Sequence, residues 1–107
     1  IRGIASGAFD GCTSLNSINI PDNIRIIEDY TFSDCTSLKQ LFLSRNISHI
    51  YSRAFENCTL LEKIIIYDKV EYIADNAFEG CDKLTIYGIK AHMLSNMPMN
   101  TIYLLEN

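Results

Sequence analysis

The four cysteines are the residues best suited to chemistry, and they recur at one fixed spacing. The segment FDGCTSL at 9–15 returns as FSDCTSL at 32–38, FENCTLL at 55–61 and FEGCDKL at 78–84, each 23 residues after the last. A thiol can act as a nucleophile, a metal ligand, half of a disulfide or a small apolar packing group. The period makes each cysteine a position in an internal repeat, so the architecture has to be established before the chemistry.

The repeated thiols fit packing better than any of the reactive roles. A zinc site wants close cysteine pairs, which are absent, and only His49 and His92 could assist. A nucleophilic thiol needs an activating base, yet no histidine recurs with the period. Neighbouring thiols at a strand separation of about 4.8 Å are close enough for a disulfide, but parallel side chains disfavour the bond. We predict no catalytic residue, no metal, no cofactor and four free thiols in one ladder: Cys12, Cys35, Cys58 and Cys81.

Two short apolar segments in each repeat predict two strands. A leucine column precedes apolar residues spaced two apart, which is the period of a strand with one buried face. A second apolar group follows after turn formers and is too short for a helix. The leucine column is Leu15, Leu38, Leu61 and Leu84; the first strands hold Ile18/Ile20, Leu41/Leu43 and Ile64/Ile66; the second strands hold Ile24/Ile27, Ile47/Ile50 and Val70/Ile73.

A phenylalanine column completes each repeat and predicts a stacked core. Phe9, Phe32, Phe55 and Phe78 follow a small residue in what we interpret as a helical turn. Because glycine, aspartate and asparagine tolerate left-handed backbone, the next column predicts a tight turn: Gly11, Asp34, Asn57 and Gly80. One repeat cannot bury its own apolar residues, so the repeats must stack and place like residues in ladders.

Composition excludes several classes of function. The chain has 107 residues, nine basic against thirteen acidic side chains and a net charge of −4. That balance, with no basic run, argues against nucleic-acid binding, and no apolar run approaches the roughly 18 residues of a membrane span. Residues 1–8 begin inside a repeat with no cap. We therefore expect a fragment of a longer protein, whose open N-terminal edge can associate end to end with another chain.

The repeat unit resembles a known family. The pattern C-x-x-L-x-x-I-x-I-P-x-x-I-x-x-I-x-x-x-A-F runs from Cys12 to Phe32 with Thr31 in place of alanine, and it resembles the BspA-like leucine-rich repeat. The resemblance implies a right-handed solenoid with a parallel sheet on its concave side. It also implies a cell-surface or secreted protein that adheres to partners such as host matrix proteins and carries no chemistry.

On this interpretation the chain is the C-terminal end of a repeat array and forms one domain over 1–107. Residues 1–8 are a partial repeat, 9–31, 32–54 and 55–77 are full repeats, and 78–107 are an atypical capping repeat. In the cap we predict a strand register two residues earlier than the period, with Gly88 ending the strand. A short helix over 91–97 and a closing strand over 101–105 then follow.

Function should reside where the repeat does not dictate the residue type. The positions between inward residues of the first strands are expected to point outward on the concave face: Ser17, Asn19, Pro21, Gln40, Phe42, Ser44, Lys63, Ile65 and Tyr67. Exposed apolar clusters with an aromatic member often bind partners, although strand surfaces favour such residues in any case. The partner-binding candidates are Phe42, Ile65, Tyr67, Gln40, Lys63 and Asn19.

The leading hypothesis is a non-enzymatic recognition or adhesion module that binds a protein or glycan through the concave sheet. The alternative is a structural spacer with no ligand of its own. Two sequons occur, at Asn46 and Asn57, and they matter only if the source secretes through a eukaryotic pathway.

Overall fold

The computed structural model describes residues 4–89 and 101–104, and for Ile89 and 101–104 the account is of the backbone alone. The chain forms stacked coils with short parallel strands on two faces. The strands of the front face are β1 (Ser17–Asn19), β3 (Gln40–Phe42), β5 (Lys63–Ile66), β7 (Thr85–Ile89) and β8 (Thr101–Leu104); those of the back face are β2 (Ile26–Ile27), β4 (His49–Ile50) and β6 (Tyr72–Ile73).

The 23-residue period sets the register of the coils. On the back face Ile26 lies opposite His49 and His49 opposite Tyr72, so equivalent positions stand side by side in one sheet. On the front face Ser17 pairs with Gln40 at the same interval. The stacked architecture with parallel strands agrees with the prediction.

The core consists of ladders that run through the stack. The rings of Phe9, Phe32, Phe55 and Phe78 stack with centroid separations of 5.2, 5.4 and 5.4 Å and lie within 5° of parallel. Phe32 and Phe55 are completely buried, whereas Phe9 and Phe78, at the two ends of this stack, are half-buried. A coil therefore depends on its neighbours to cover its apolar side chains.

Hydrogen-bonded turns stand where helical turns were predicted, and the described residues contain no helix. Backbone N–H groups in these turns alternate between donating to the next coil and donating within their own turn. The N–H of Phe32 donates to Ala54 of the next coil at 2.7 Å, while the N–H of Ser33 donates back to Tyr30 at 3.1 Å. Because every second amide bonds between coils, no consecutive run of amides remains for a helix.

Two columns of the turn adopt left-handed backbone. Gly11, Asp34, Asn57 and Gly80 have φ between 57° and 81°, as their residue types predict. A second column has φ of 68°, 61° and 55° and consists of Gly7, Tyr30 and Arg53, whose last two members give no such signal in the sequence. Inter-coil bonding explains this column, since the N–H of Tyr30 donates to Ser52 of the next coil at 3.0 Å.

The four cysteines are free and form the predicted ladder. Three of the thiols donate to the carbonyl oxygen 26 residues earlier: Cys35 to Phe9 at 3.2 Å, Cys58 to Phe32 at 3.2 Å and Cys81 to Phe55 at 2.9 Å. Burial raises the pKa of the Cys35 thiol to about 11. A hydrogen bond with Cys81, together with burial, raises the pKa of Cys58. The same hydrogen bond lowers the pKa of Cys81, so the proton shared by this pair stays on Cys58. Cys35 and Cys58 therefore act in the stack as neutral donors.

The last coil differs from the prediction. Lys63 pairs with Thr85 and Ile64 with Ile86, an interval of 22, so the register moves one residue earlier and not two. The expectation that Gly88 ends the strand is wrong, because its backbone pairs with Ile66 on one side and Tyr103 on the other, and β7 continues to Ile89. The closing strand β8 pairs with β7 near the predicted place. The predicted capping helix over 91–97 lies outside the described residues.

Candidate partner-binding cleft

The front face is divided between β3 and β5. Strands β1 and β3 form one ladder and β5, β7 and β8 form another, while the back strands β2, β4 and β6 are continuous. The predicted single concave sheet is therefore two sheets in the described part of the chain. Neighbouring coils are held together here by the core and the back face, and not by hydrogen bonds between β3 and β5.

A cleft of about 320 Å³ opens where the two front ladders meet. The floor of the cleft includes two inward-facing strand residues, Leu41 and Ile64, which are 4% and 1% exposed. Phe42 stands beside it with 55% of its surface exposed. The complete lining consists of Lys39, Gln40, Leu41, Phe42, Leu43, Glu62, Lys63, Ile64, Ile65 and Tyr67.

Five of the six partner-binding candidates line this cleft, namely Gln40, Phe42, Lys63, Ile65 and Tyr67. Asn19 lies on β1, where it pairs with Phe42, but it does not line the cleft. The expectation that Ser44 points outward is wrong. Ser44 is buried, and its hydroxyl donates to the carbonyl of Ile24 at 3.3 Å, because the chain turns inward after β3.

An apolar row crosses the front face from one ladder to the other. Phe42 is exposed, Ile65 is half-buried, and Tyr87 lies opposite Ile65 in the neighbouring strand. Sequence reasoning missed Tyr87 as a member of this face. The signal was the one-residue shortening between Leu84 and the strand, which turns Tyr87 outward beside Ile65.

Cations stand above the aromatic rings at the edges of the cleft. The guanidinium carbon of Arg45 lies 4.8 Å from the centre of the Tyr67 ring, and the Lys63 ammonium lies 5.5 Å from that of Tyr87. Such contacts contribute about 0.5–1 kcal/mol at exposed sites and favour these positions of the two cations. Lys39 and Glu62 add one charge of each sign to the lining. Sequence reasoning also missed Arg45, Lys39 and Glu62. These residues lie just before or after the strands, whereas the candidates were taken from outward positions within or next to them.

With this geometry known, comparison with other proteins identifies the family. The family profile described as a BspA type leucine rich repeat region matches residues 1–104 in six copies. The chain belongs to this family. No match was found among curated proteins.

Solved structures of leucine-rich repeat proteins share the fold. A leucine rich cell surface protein from Faecalibacterium prausnitzii is 38% identical over 78% of this chain, with a TM-score of 0.74. A leucine-rich repeat protein from Bacteroides capillosus is 27% identical over 80%, with a TM-score of 0.70. A leucine rich repeat protein from T. pallidum is 21% identical over 99% with a TM-score of 0.64, which supports the fold alone. The chain spans 22% of the first of these structures and 63% of the second.

Among the side chains that the structure describes, no group of three or more His, Cys, Asp and Glu residues could hold a metal ion. No helix within the described ranges is long and apolar enough to cross a membrane. The cleft combines an apolar floor, two aromatic residues and two lysines, which is the composition typical of ligand pockets.

Proposed function

We propose that the chain is a non-enzymatic recognition module of a cell-surface or secreted protein, and that it binds a protein or glycan partner through the cleft between β3 and β5. The observation that carries the proposal is the exposed Phe42 at a cleft with an apolar floor. Packing does not account for Phe42, because the phenylalanine ladder is a separate column and is already complete. Exposed aromatic residues beside concave apolar surface are typical of binding sites.

The setting at a cell surface is supported by similarity. The Faecalibacterium prausnitzii protein that shares 38% identity with this chain is described as a leucine rich cell surface protein. Adhesion to host matrix proteins is the role that resemblance to the BspA family implies. These two considerations select the partners to be tested first.

The decisive experiment measures binding of the purified protein to a panel of host matrix proteins by interferometry. We expect saturable binding that a Phe42→Ser/Tyr67→Ser variant loses while its thermal unfolding remains unchanged. A matched control, Leu60→Ser/Tyr72→Ser, removes two exposed apolar side chains that lie away from the cleft. Binding that survives in the cleft variant and fails in the control would contradict the proposal.

A structural spacer is the second candidate, and the continuous back face favours it. Strands β2, β4 and β6 and the phenylalanine stack extend through the coils without interruption, as a module that only adds length would require. A spacer role does not explain why Phe42 is exposed beside a cleft. Absence of binding to every protein and glycan of a broad panel would favour this candidate.

A further inference from the structure

We infer that the cleft takes an acidic peptide segment of a protein partner, in extended conformation, with one apolar side chain inserted between β3 and β5. This inference rests on the proposed function and specifies the class of ligand. The carboxylates of the segment would lie on the cations around the cleft, and its apolar side chain would contact Leu41 and Ile64. Charge, floor chemistry and size each support this class.

The charge of the cleft is opposite to that of the chain. Two cations, Lys39 and Lys63, line the cleft with one acid, Glu62, whereas the whole chain carries −4. Arg45 does not line the cleft, but its guanidinium lies over the ring of Tyr67, which does. Such a local reversal attracts an acidic ligand and repels a basic one. Arg45 and Lys63 are also held in place above aromatic rings, so less side-chain entropy is lost when they bind a carboxylate.

The floor of the cleft favours an apolar side chain over a sugar. Leu41 and Ile64 are core residues that contact the cleft from below, and Phe42 and Tyr67 stand at its sides. A sugar hydroxyl placed on this floor would lose its hydrogen bonds to water without gaining others, which is unfavourable. A leucine or phenylalanine side chain placed there gains burial instead.

The size of the cleft fits a peptide. A cleft of about 320 Å³ lies at the lower end of the roughly 300–1,000 Å³ typical of ligand pockets, which suits a few side chains and not a folded domain. The facing edges of β3 and β5 are not hydrogen-bonded to each other, but the two strands remain neighbours. The space between them therefore admits a side chain and not a further strand.

The test uses three fluorescein-labelled peptides, EDEFLEDE, EDESSEDE and KRKFLKRK, with fluorescence anisotropy as the readout. We expect saturable binding of EDEFLEDE only. A Lys39→Gln/Lys63→Gln variant should weaken that binding about five- to tenfold, the size expected for two exposed ion pairs. The control Arg25→Gln/Lys83→Gln makes the same change in net charge at residues that do not line the cleft, and it should bind as the parent does.

Each other outcome overturns the inference in a different way. Equal binding of EDESSEDE would exclude insertion of an apolar side chain, and preferential binding of KRKFLKRK or of heparin would exclude the acidic peptide class. If matrix proteins bind through Phe42 and Tyr67 but no peptide binds, the inference fails and the proposed function stands. If neither matrix proteins nor peptides bind, both fail.

Discussion

The hydrogen bonds between coils differ between two sides of the stack. One is the turn side, which holds the turns at residues 7–12, 30–35 and 53–58, and the other is the front face. In each turn the amides of alternate residues bond to the next coil, as in Gly7, Phe9 and Gly11 of the first turn, and Arg53 does so through the side chain of Asn76. On the front face the pairing stops between β3 and β5. The register of the stack is therefore set by turns and core. The strand pairing of the front face is interrupted where the exposed Phe42 lies.

Two phenylalanines provide the sharpest test of this difference. Phe55 is completely buried between Phe32 and Phe78, whereas Phe42 is 55% exposed at the cleft. We expect Phe55→Ala to lower the free energy of unfolding by about 3–5 kcal/mol, since a large buried side chain is lost and a cavity remains. Phe42→Ala should change it by less than about 0.5 kcal/mol, as is usual for surface substitutions. Urea denaturation followed by circular dichroism measures both values.

Phe55→Leu provides a smaller change at the same site, which keeps the comparison measurable if Phe55→Ala yields no soluble protein. It should still destabilise more than Phe42→Leu. Equal effects of the two leucine substitutions would mean that the ladder and the front face contribute alike, which would remove the basis of the comparison.

The close approach of coils on the turn side gives the second prediction. Gly80 has φ of 81°, and a Cβ added there would meet the side chain and backbone of Asn57. Gly11 has φ of 74° with nothing within 4 Å of the same position. Both alanine substitutions should cost about 1–2 kcal/mol for left-handed backbone, and Gly80→Ala should cost more because it also displaces Asn57.

Thermal unfolding of the two alanine variants measures the difference. The double variant Gly80→Ala/Asn57→Gly removes the Asn57 side chain that the added Cβ would meet, and glycine suits the φ of 60° at position 57. It should recover part of the loss. An equal loss for Gly11→Ala and Gly80→Ala would show that the coils are not closely packed at this turn.

The sequence predicts what repeats locally and misses what depends on pairing between coils. The period predicts stacking, and the residue types at Asn57 and Gly80 predict left-handed turns. Tyr30 and Arg53 adopt the same backbone with no local signal, and their amides bond to the next coil, to the carbonyl of Ser52 and to the side chain of Asn76. The opening between β3 and β5 is also invisible in the sequence, since both strands carry the ordinary repeat pattern.

The sequence likewise predicts one part of the candidate site and misses another. The outward positions of β3 and β5, including Phe42 and Ile65, follow from alternation along a strand. Tyr87 requires the shortened register of the last coil, and Arg45 requires the path of the chain after β3, which alternation does not supply. A site formed by separation of two strands can be located only when the pairing of those strands is known.

The thiol ladder gives the third prediction and a smaller effect. The Cys58 thiol is completely buried and donates to the carbonyl of Phe32, which also accepts from the backbone of Cys35. Cys58→Ala should cost on the order of 1–2 kcal/mol, combining a hydrogen bond of about 1 kcal/mol with lost burial. Cys12→Ala, at a half-buried position, should cost clearly less. Equal losses in urea denaturation would argue against the buried hydrogen bond.

The smallest effect concerns the reactivity of the thiols. At pH 8 we expect a maleimide to label Cys12 first, because Cys12 is half-buried and Cys35, Cys58 and Cys81 are buried. The raised pKa of Cys35, about 11, also keeps that group a neutral thiol at pH 8, and the thiolate is the reactive form. The folded state holds the proton of Cys35 more tightly than the unfolded chain does. The contribution of this thiol to stability is therefore complete below the unfolded pKa of about 8.5 and declines as pH rises toward 11.

In the labelling experiment, mass spectrometry should find one label on the native protein and four after denaturation without reductant. Rapid labelling of Cys35 in the native protein, or fewer than four labels after denaturation, would contradict the buried ladder of free thiols.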